Sequence, residues 1–569
     1  MSSAQDDPPK ARRKKSYSPN KNSTLASIPQ EEKFEDILIK VCGDDKGEIS
    51  VPDLIAKLNH NGFLICEDLR LRPLVDKLLI KLSGEGDDKY NSYNLKKIIT
   101  VTELTDLPKD CEDIIKKTLF GKALIPEFSR FSDDLLKMFD KVAEIKTGKI
   151  PAYLLSKNLK DHWGVSVCTT DGQVWSHGDS SIPFTLQSGS LSLNYALAIT
   201  RLGSEVVHEY VGKEVATNSM INTLDLDKNG VPHNAMTQGG GLAITSLLLN
   251  ETPNDLPSGY ENIVNQYQSL AGDKPLKINN TVYLADKRNC DRKFSIAYLL
   301  KEQNSFPPDL KLKNIIDLYF LLNSVEITCE IGAVIASTLA NGGVCPTTGK
   351  EVLTTTAVQN TLSIMNLQGM YSFSAEWMIQ TGLPAKSSSS GMIMVVVPGV
   401  MGMCLYSPPL DENGNSVRAL EFVRRVSKRF SLHYLDSHIA APITKENLMN
   451  RHEGKESHEQ VIMNVMYAAA HGDKNLLDRY CELGLNLDVT DYDYRTALHL
   501  ACCNDNIDIA RYLMERKVNV FALDRWNRTP LDDAKRYGSK ELVELLREHG
   551  ANEGPGKIQY EEEEEVNQR

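Results

Sequence analysis

The stretch Gln187–Tyr195 is the part of this sequence whose residue types most clearly allow chemistry, because a serine immediately precedes an apolar helical pattern. A serine hydroxyl at a helix start can act as a nucleophile, since the helix dipole favours an anionic intermediate there. The commoner role of such a serine is to cap the helix. A nucleophilic serine also needs a base, and in Ser-x-x-Lys enzymes a lysine one turn further on takes the proton. The residue at that spacing from Ser188 is Leu191, whose side chain cannot accept a proton.

Length and composition are those of an ordinary multidomain globular chain. The 569 residues are enough for about three to five domains. A formal net charge of −12 argues against binding of nucleic acid through bulk charge. The longest apolar run, Met392–Tyr406, is too short to span a membrane. Eleven cysteines without a Cys-x-x-Cys pair predict reduced thiols in an intracellular protein.

Both ends of the chain are predicted to be disordered, solvated tails. Residues 1–28 hold six Lys or Arg against two Asp, and the run Lys10–Lys15 could also be a weak nuclear signal. Acidic residues and prolines interrupt any amphipathic presequence in this tail, so a cytoplasmic and a mitochondrial location both stay open. Residues 553–569 contain the acidic run Glu561–Glu565.

Residues 29–125 are predicted to form an EF-hand-like helical domain. Leu54, Ile55 and Leu58 recur at helical spacing. The stretch Gly43–Ile49 resembles part of an EF-hand loop, but it lacks the alternating oxygen ligands and the closing glutamate that calcium needs. We therefore expect a helix pair without a metal ion.

Residues 126–440 are predicted to form one α+β domain. Two hairpins are indicated, Val165–Trp175 around a Thr-Asp-Gly turn and Met392–Tyr406 around a Pro-Gly turn. Long helical patterns such as Ser190–Leu202 and Ile315–Leu339 lie between them. We expect strands from the two ends of the segment to pair in one sheet.

Residues 455–552 contain a sequence repeat. The motif Arg495–His499 returns 33 residues later as Arg528–Asp532, which is the ankyrin period and its Thr-x-Leu-His start. His499 is therefore predicted to bond to backbone across the turn instead of taking part in catalysis. Ankyrin stacks present surfaces to protein partners.

The chain as a whole resembles the animal glutaminases over roughly residues 30–550. Their order of domains is the same: an EF-hand-like helical domain, a serine β-lactamase-like glutaminase domain and ankyrin repeats. The stretches that carry the resemblance are Trp163–Cys168, Tyr210–Glu214, Pro232–Asn234, Ile327–Glu330, Thr338–Gly343, Gly369–Tyr371, Gly382–Ser387 and Val400–Met403.

This resemblance implies hydrolysis of L-glutamine to L-glutamate and ammonia by a serine nucleophile, without a cofactor. Ser188 matches the nucleophile. Tyr371 and Tyr319 match two tyrosines that assist proton transfer and hold the substrate, and Tyr153 and Gln187 match further substrate contacts. No metal is expected, because the histidines lack ligand spacing.

The family's oxyanion hole uses backbone N–H groups, here those of Ser188 and Ser389, and such donors survive side-chain changes. Other family positions are changed in this sequence. Leu191 stands where the family has the base lysine, and Asp286 stands where it has a glutamate that binds the substrate's amino group. The family has an asparagine at the positions of Gln238 and Lys293, and a glycine at the position of Ser388. Gln238, Asp286 and Lys293 are accordingly predicted to bind substrate.

Leu191 determines the functional prediction. A positioned base contributes about 10²–10⁴ in rate, and on the order of 10⁶ where nucleophile and base act as a unit. We therefore expect weak or lost glutaminase turnover, with a catalytically inactive binding or regulatory subunit as the alternative. Two hypotheses would compensate for the loss of the base lysine. Lys386 could serve as a substitute base, and Lys293 could supply a cation for a carboxylate-bearing ligand. Lys293 could instead extend into solvent.

The resemblance also predicts partners. It implies a homo-oligomer, either dimer or tetramer, and assembly with an active paralogue is a further hypothesis. The expected small molecule is L-glutamine or a glutamate-like compound. The segment Asn218–Gly230 departs from the family's gating segment, so phosphate activation is not predicted.

Overall fold

The computed structural model describes residues 38, 48–81, 93–104, 106–150, 161–216, 226–253, 255–436, 445, 448, 458–482 and 487–554. Tyr153, the stretch Gly43–Gly47 and nearly all of both predicted tails lie outside these residues. The chain divides into two compact units, one of residues 1–59 and 70–120, the other of residues 60–69 and 121–569. No helix in the described ranges is long and apolar enough to cross a membrane.

The first unit is helical, as the periodicity predicts, and also contains two small sheets. Leu54 and Leu58 are buried on one face of their helix. The helices are α1 (Val51–His60), α2 (Arg72–Leu78), α3 (Val101–Leu104) and α4 (Lys109–Leu119). The strands pair antiparallel as β1 (Glu48–Ser50) with β4 (Ile98–Thr100), and β2 (Leu79–Lys81) with β3 (Tyr93–Leu95).

The second unit is built on a five-stranded antiparallel sheet. Its strands are β5 (Gly164–Thr169), β6 (Val174–Gly178), β10 (Ala385–Ser387), β11 (Met392–Val397) and β12 (Met401–Tyr406), in the order β10-β11-β12-β5-β6. A smaller sheet has the order β7-β9-β8, with β7 (Phe184–Thr185), β8 (Lys277–Ile278) and β9 (Val325–Ile327). Pairing of β5 with β12 confirms that strands from the two ends of the domain meet in one sheet.

The central strands are buried on both faces, so the domain has three layers. In β5, Val165 and Val167 enter one core, whereas in β12 Cys404 and Tyr406 enter the other. Successive strand side chains point to opposite faces, so one strand supplies two cores. The helices of this domain are α5 (Phe128–Ala143), α6 (Ser190–Leu202), α7 (Ser204–Tyr210), α8 (Gln238–Leu249), α9 (Leu256–Leu270), α10 (Asn280–Arg288), α11 (Asp291–Glu302), α12 (Leu312–Asn323), α13 (Cys329–Ala340), α14 (Thr355–Gln368), α15 (Ser374–Thr381) and α16 (Val417–Arg429).

The helical pattern Ile315–Leu339 is not one helix. It is divided into α12 and α13 by the short strand β9, whose Val325 and Ile327 are β-branched and favour extended backbone. The side chain of Thr328 then caps α13 by accepting a hydrogen bond from the backbone N–H of Ile331 at 3.3 Å. Apolar periodicity alone did not detect this break.

The described part of the ankyrin region contains three helix pairs: α17 (His458–His471) with α18 (Lys474–Glu482), α19 (Ala497–Cys503) with α20 (Ile507–Glu515), and α21 (Pro530–Tyr537) with α22 (Lys540–Glu548). His499 Nδ1 lies 3.1 Å from the backbone nitrogen of Thr496, and His499 Nε2 lies 3.2 Å from the carbonyl oxygen of Arg528 in the next repeat. His499 therefore links successive repeats.

Candidate active site

Ser188 lies in a single 3₁₀ turn, Gln187–Gly189, that leads directly into helix α6. Its hydroxyl does not cap that helix. Instead, Ser188 Oγ lies 2.8 Å from the phenol oxygen of Tyr371 and 3.4 Å from the carbonyl oxygen of Ser387. The hydroxyl is thus held by groups from distant parts of the chain, as a positioned nucleophile would be.

The backbone is strained on both sides of this hydroxyl. Gln187, which immediately precedes Ser188, has φ = 47°, and Tyr371 has φ = 55°. Neither is glycine, and such left-handed backbone costs on the order of 1–3 kcal/mol and is concentrated at functional sites. Packing around Ser188 therefore maintains a geometry that these two residues would not adopt on their own.

The segment after strand β10 forms the wall opposite Ser188. The hydroxyl of Ser388 is buried and donates to the carbonyl oxygen of Leu186 at 2.7 Å, while its backbone N–H donates to Met392 O at 2.9 Å. Ser388 thereby joins this wall to the residue before the nucleophile turn. Ser389, the next residue, lines the same cavity as Ser188.

Leu191 lies on the cavity wall one turn after Ser188 and is buried. Helix α8 approaches it closely at Gly241, where an added Cβ would lie 2.5 Å from Leu191 Cδ2 and 3.0 Å from Tyr319 Cε2. Leu191 and Tyr319 thus both pack against the bare backbone of Gly241. At the position where the resemblance places the base lysine, the wall is hydrocarbon.

Lys386 is the buried amine on the Ser388 side of the site. Its Nζ donates to the carbonyl oxygen of Ser387 at 2.5 Å and lies 4.9 Å from the ring centroid of Tyr371. Burial lowers the pKa of Lys386 to about 7. Lys386 and Ser188 share a carbonyl partner, but among the described residues no amine is hydrogen-bonded to Ser188 Oγ.

The two predicted tyrosines also lie in the site. Burial raises the pKa of the Tyr371 phenol, against the opposing effect of its hydrogen bond to Ser188. Burial likewise raises the pKa of Tyr319 to about 12. Both phenols stay protonated at neutral pH, so they can orient groups by hydrogen bonding but are poor proton acceptors.

Ionisable side chains meet at the other side of the cavity. Lys293 on α11 donates through Nζ to Gln238 Oε1 at 2.7 Å, and the same Nζ lies 5.8 Å from the ring centroid of Tyr319. Burial and the nearby charge of Arg292 lower the pKa of Lys293 to about 8, while the charge of Asp286 acts in the opposite direction.

Asp286, near the end of α10, is the acidic member of this group. Burial raises the pKa of Asp286, whereas a hydrogen bond with the Gln187 side chain and the charge of Lys293 both lower it. Gln187 therefore connects the nucleophile turn with the ionic group. We call the part around Ser188, Leu191 and Tyr371 the nucleophile end, and the part around Gln238, Asp286 and Lys293 the ionic end.

Both ends open into one cavity of about 470 Å³, large enough for a small ligand. The structure thus brings together every sequence-predicted site residue that it describes, and only Tyr153 lies outside the described residues. These residues are Gln187, Ser188, Gln238, Asp286, Lys293, Tyr319, Tyr371 and Ser389. In the described ranges, no cluster of three or more His, Cys, Asp or Glu is arranged to hold a metal ion.

Comparison with known proteins identifies the family of the chain. The sequence profile described as Glutaminase matches residues 148–435, and the profile described as Ankyrin repeats (3 copies) matches residues 465–554. The liver isoform glutaminase of Rattus norvegicus, named as mitochondrial, is 41% identical over 433 residues, which are 75% of this chain and 71% of that protein. The chain belongs to the glutaminase family.

Two further proteins extend the comparison. Putative glutaminase 2 of Caenorhabditis elegans is 35% identical over 509 residues, covering 88% of this chain and 83% of that protein. The crystal structure of Mglu superposes with a TM-score of 0.50 at 28% identity, over 54% of this chain and 76% of that one. These relatives confirm the predicted combination of a serine β-lactamase-like glutaminase domain with ankyrin repeats.

Sequence reasoning missed other residues of this glutaminase-family site. Asn323 accepts a hydrogen bond from Ser190 Oγ at 2.7 Å and also bonds to Tyr319, so it fixes one side of the cavity. The sequence feature that could have identified Asn323 is a polar residue at the end of the apolar helix α12. Asn413 accepts from Ser372 Oγ at 3.0 Å at another part of the cavity wall, and only the tertiary fold brings these two residues together.

Proposed function

We propose that this glutaminase-family chain binds L-glutamine or a glutamate-like amino acid in the cavity and hydrolyses glutamine weakly or not at all. One observation carries the proposal. Ser188 Oγ is positioned by Tyr371 at 2.8 Å, yet the nearby wall, where a base is needed, is the side chain of Leu191.

The steps of glutamine hydrolysis show that the proton acceptor for Ser188 is the missing part. Ser188 Oγ would attack the side-chain amide carbon of glutamine while its proton moves to an acceptor, and backbone N–H groups of Ser188 and Ser389 would bind the resulting oxyanion. Ammonia would leave with a returned proton, and water would then release glutamate. Tyr371 cannot readily replace the base, because burial raises the pKa of its phenol.

The rate expected from this geometry is low. A positioned base contributes about 10²–10⁴ in rate, and about 10⁶ where base and serine act together. Lys386 is a candidate for supporting residual turnover, since burial lowers its pKa to about 7, but its amine is bonded to Ser387 O.

The second candidate function is that of a binding or regulatory subunit without turnover. The strained backbone at Gln187 and Tyr371 favours it, because such a geometry can serve ligand binding without catalysis. The ankyrin repeats indicate protein partners. A dimer or tetramer, assembly with an active paralogue, and a cytoplasmic or mitochondrial location belong to the same proposal; the rat relative is named as mitochondrial.

Two measurements on the purified full-length chain test the proposal. Titration calorimetry with L-glutamine and with L-glutamate is expected to show binding of both at millimolar concentration or below. Ammonia release from glutamine is expected to be close to that of the matched Ser188→Ala variant, which lacks the nucleophile. Both proteins are first compared by thermal unfolding, so that misfolding is not mistaken for lost chemistry.

Each part of the proposal can fail separately. Absence of heat with both amino acids, at two temperatures, would contradict ligand binding. Ser188-dependent ammonia release at about ten per second or more, which lies in the ordinary enzyme range, would contradict impaired turnover.

A further inference from the structure

A groove between helices α5 and α16 has a strong positive charge, and none of its residues lines the cavity described above. Its volume is about 370 Å³. The charged side chains on its walls are Lys137, Lys141, Arg425, Lys428, Arg429 and Asp134. We call it the basic groove. The chain as a whole has a formal net charge of −12, so the basic groove is opposite in sign to the rest of the molecule.

The cations of the basic groove form two rows, one on each helix. Lys137 and Lys141 are four residues apart on α5, so they lie on one face about one turn apart. Arg425, Lys428 and Arg429 share a face of α16 by the same spacing. Both rows line the same groove, so an anionic segment lying in it would meet cations on both sides.

Acidic side chains balance only part of this charge. Asp134 joins the two helices, because its carboxylate lies 3.4 Å from Lys137 Nζ and 3.1 Å from an Arg429 guanidinium nitrogen. Glu421 accepts a hydrogen bond from Arg425 Nε at 2.8 Å. These contacts orient three of the five cations and leave the basic groove with an excess of positive charge.

Lys141 and Lys428 are the cations that these acids do not reach. Both are exposed, and among the described residues neither has an ionic or hydrogen-bonding partner. Like charges four residues apart, such as Lys137 and Lys141, destabilise a helix. A partner that brings carboxylates would remove this repulsion and give both lysines a counter-charge.

The lining of the basic groove also indicates the class of partner. Met138 is its apolar residue, and it is half-buried. The large apolar side chains that are exposed in the described ranges lie elsewhere. Membrane-surface sites combine basic residues with inserted apolar side chains, and sites for single-stranded nucleic acid use exposed aromatic rings. A groove lined by cations without such groups favours an acidic polypeptide segment.

We propose that the basic groove binds the acidic run Glu561–Glu565 of this chain. The run supplies five consecutive carboxylates for the five cations of the groove. In an extended segment, alternate residues are about 6.6 Å apart, close to the rise of about 5.4 Å for one helical turn. Alternate carboxylates of the run can therefore meet successive cations of a row. The inference does not depend on glutamine binding, because it concerns residues outside the cavity.

Fluorescence anisotropy with a labelled peptide of residues 556–569 tests this assignment. The receptor is the full-length chain in which Glu561→Gln to Glu565→Gln remove the charges of its own run, so that this run does not compete. The peptide is expected to bind with a dissociation constant of about 100 μM or below at about 20 mM salt, and about tenfold more weakly at about 200 mM salt. A peptide with glutamine at the five glutamate positions is expected not to bind.

Paired substitutions in the receptor locate the binding site. Lys141→Gln with Lys428→Gln is expected to weaken peptide binding about tenfold, whereas Lys141→Arg with Lys428→Arg keeps the charge and is expected to keep the affinity within about threefold. The matched control is Lys313→Gln with Lys540→Gln, which removes the same charge from exposed lysines outside the groove. Its affinity is expected to stay within about twofold of the receptor. Thermal unfolding of each variant shows whether the fold is intact.

Three results would overturn the proposal. The first is absence of peptide binding at low salt, or equal binding of the glutamate and glutamine peptides. The second is an equal loss of affinity in the groove variant and its control, which would place the peptide elsewhere, for example on the basic run Lys10–Lys15. The third is sedimentation with vesicles of phosphatidylcholine and phosphatidylserine that depends on Lys141 and Lys428 while the peptide does not bind, which would assign the groove to a lipid surface.

Discussion

The nucleophile end and the ionic end of the cavity differ in the charged groups that line them. The nucleophile end has hydroxyl groups at Ser188 and Tyr371 in contact, but Leu191 makes its wall apolar where a cation is expected. The ionic end, where the resemblance predicts three substitutions, contains one acid and one base, Asp286 and Lys293. Among the described residues that line the cavity, the lysine lies at the ionic end, and no lysine lies at the nucleophile end.

This difference separates affinity from rate. An interaction accelerates a reaction only if it is stronger in the transition state than in the bound substrate. A cation beside Ser188 would act on the charge that develops during attack. A cation at the ionic end that contacted a non-reacting part of a ligand would strengthen the binding of ground state and transition state alike.

The largest expected effect follows from returning a base to the nucleophile end. Leu191→Lys is expected to raise ammonia release from glutamine by about 10²–10⁴, because it places an amine one helical turn from Ser188. Leu191→Met is the matched control, since it adds an unbranched side chain without an amine. Steady-state ammonia release by the three proteins measures the effect.

The result of this substitution also shows how the two ends interact. Combination of Leu191→Lys with Lys293→Asn is expected to give less activity than Leu191→Lys alone, because two ammonium groups in one cavity lower each other's pKa and a lysine must be neutral to accept the proton of Ser188. Equal activation by Leu191→Met and Leu191→Lys would show that packing, and not the missing amine, limits turnover.

Much of the fold was predictable from local patterns. Strands β5, β11 and β12 are short apolar runs bounded by turns, and helix α6 has the predicted bounds Ser190–Leu202. The break in Ile315–Leu339 was not predicted, because its outcome depends on the pairing of β9 with β7 and β8. Pairing between distant segments is not expressed in helical periodicity.

Site residues were predictable where the residue type itself indicates a chemical role. They were less predictable where the role depends on contacts between distant segments or on the orientation of a side chain. Ser188, Tyr371 and Tyr319 could be named from sequence motifs. The bond from Ser388 to Leu186 O could not, because it joins segments about 200 residues apart. The inward orientation of Lys293 was likewise undecided in the sequence, since a lysine can also extend into solvent.

A smaller effect is expected at Gly241, which lies against both Leu191 and Tyr319. Gly241→Ala would place a methyl group 2.5 Å from Leu191 Cδ2, so one of the neighbours must move. Gly239→Ala is the matched control in the same helix, because its nearest contact would be an ordinary 3.4 Å. We expect Gly241→Ala to be less stable than Gly239→Ala by about 1–3 kcal/mol.

Thermal unfolding of the two alanine variants measures this difference. Both substitutions improve helix propensity by a similar amount, so the comparison isolates crowding at the wall between the two ends. Equal stability of the variants would mean that Leu191 moves without cost, and the nucleophile end would then be more adaptable than its packing indicates.

The smallest effect per pH unit concerns Lys386, the buried amine beside Tyr371. Burial lowers the pKa of Lys386 from 10.5 to about 7 in the folded chain. Between these values the unfolded chain binds a proton that the folded chain does not, so this group makes the free energy of unfolding increase as pH rises from 7 towards 10. The contribution is at most about 1.4 kcal/mol per pH unit.

Lys386→Met removes this contribution, so between pH 7 and pH 9 the stability of the variant is expected to rise less, or to fall more, than that of wild type. Lys137→Met, at an exposed lysine of α5, is the control and is expected to follow wild type. The midpoint of thermal unfolding, followed at three pH values, measures the slope. Parallel curves for wild type and Lys386→Met would show that Lys386 is charged throughout this range, and a charged Lys386 could not accept the proton of Ser188.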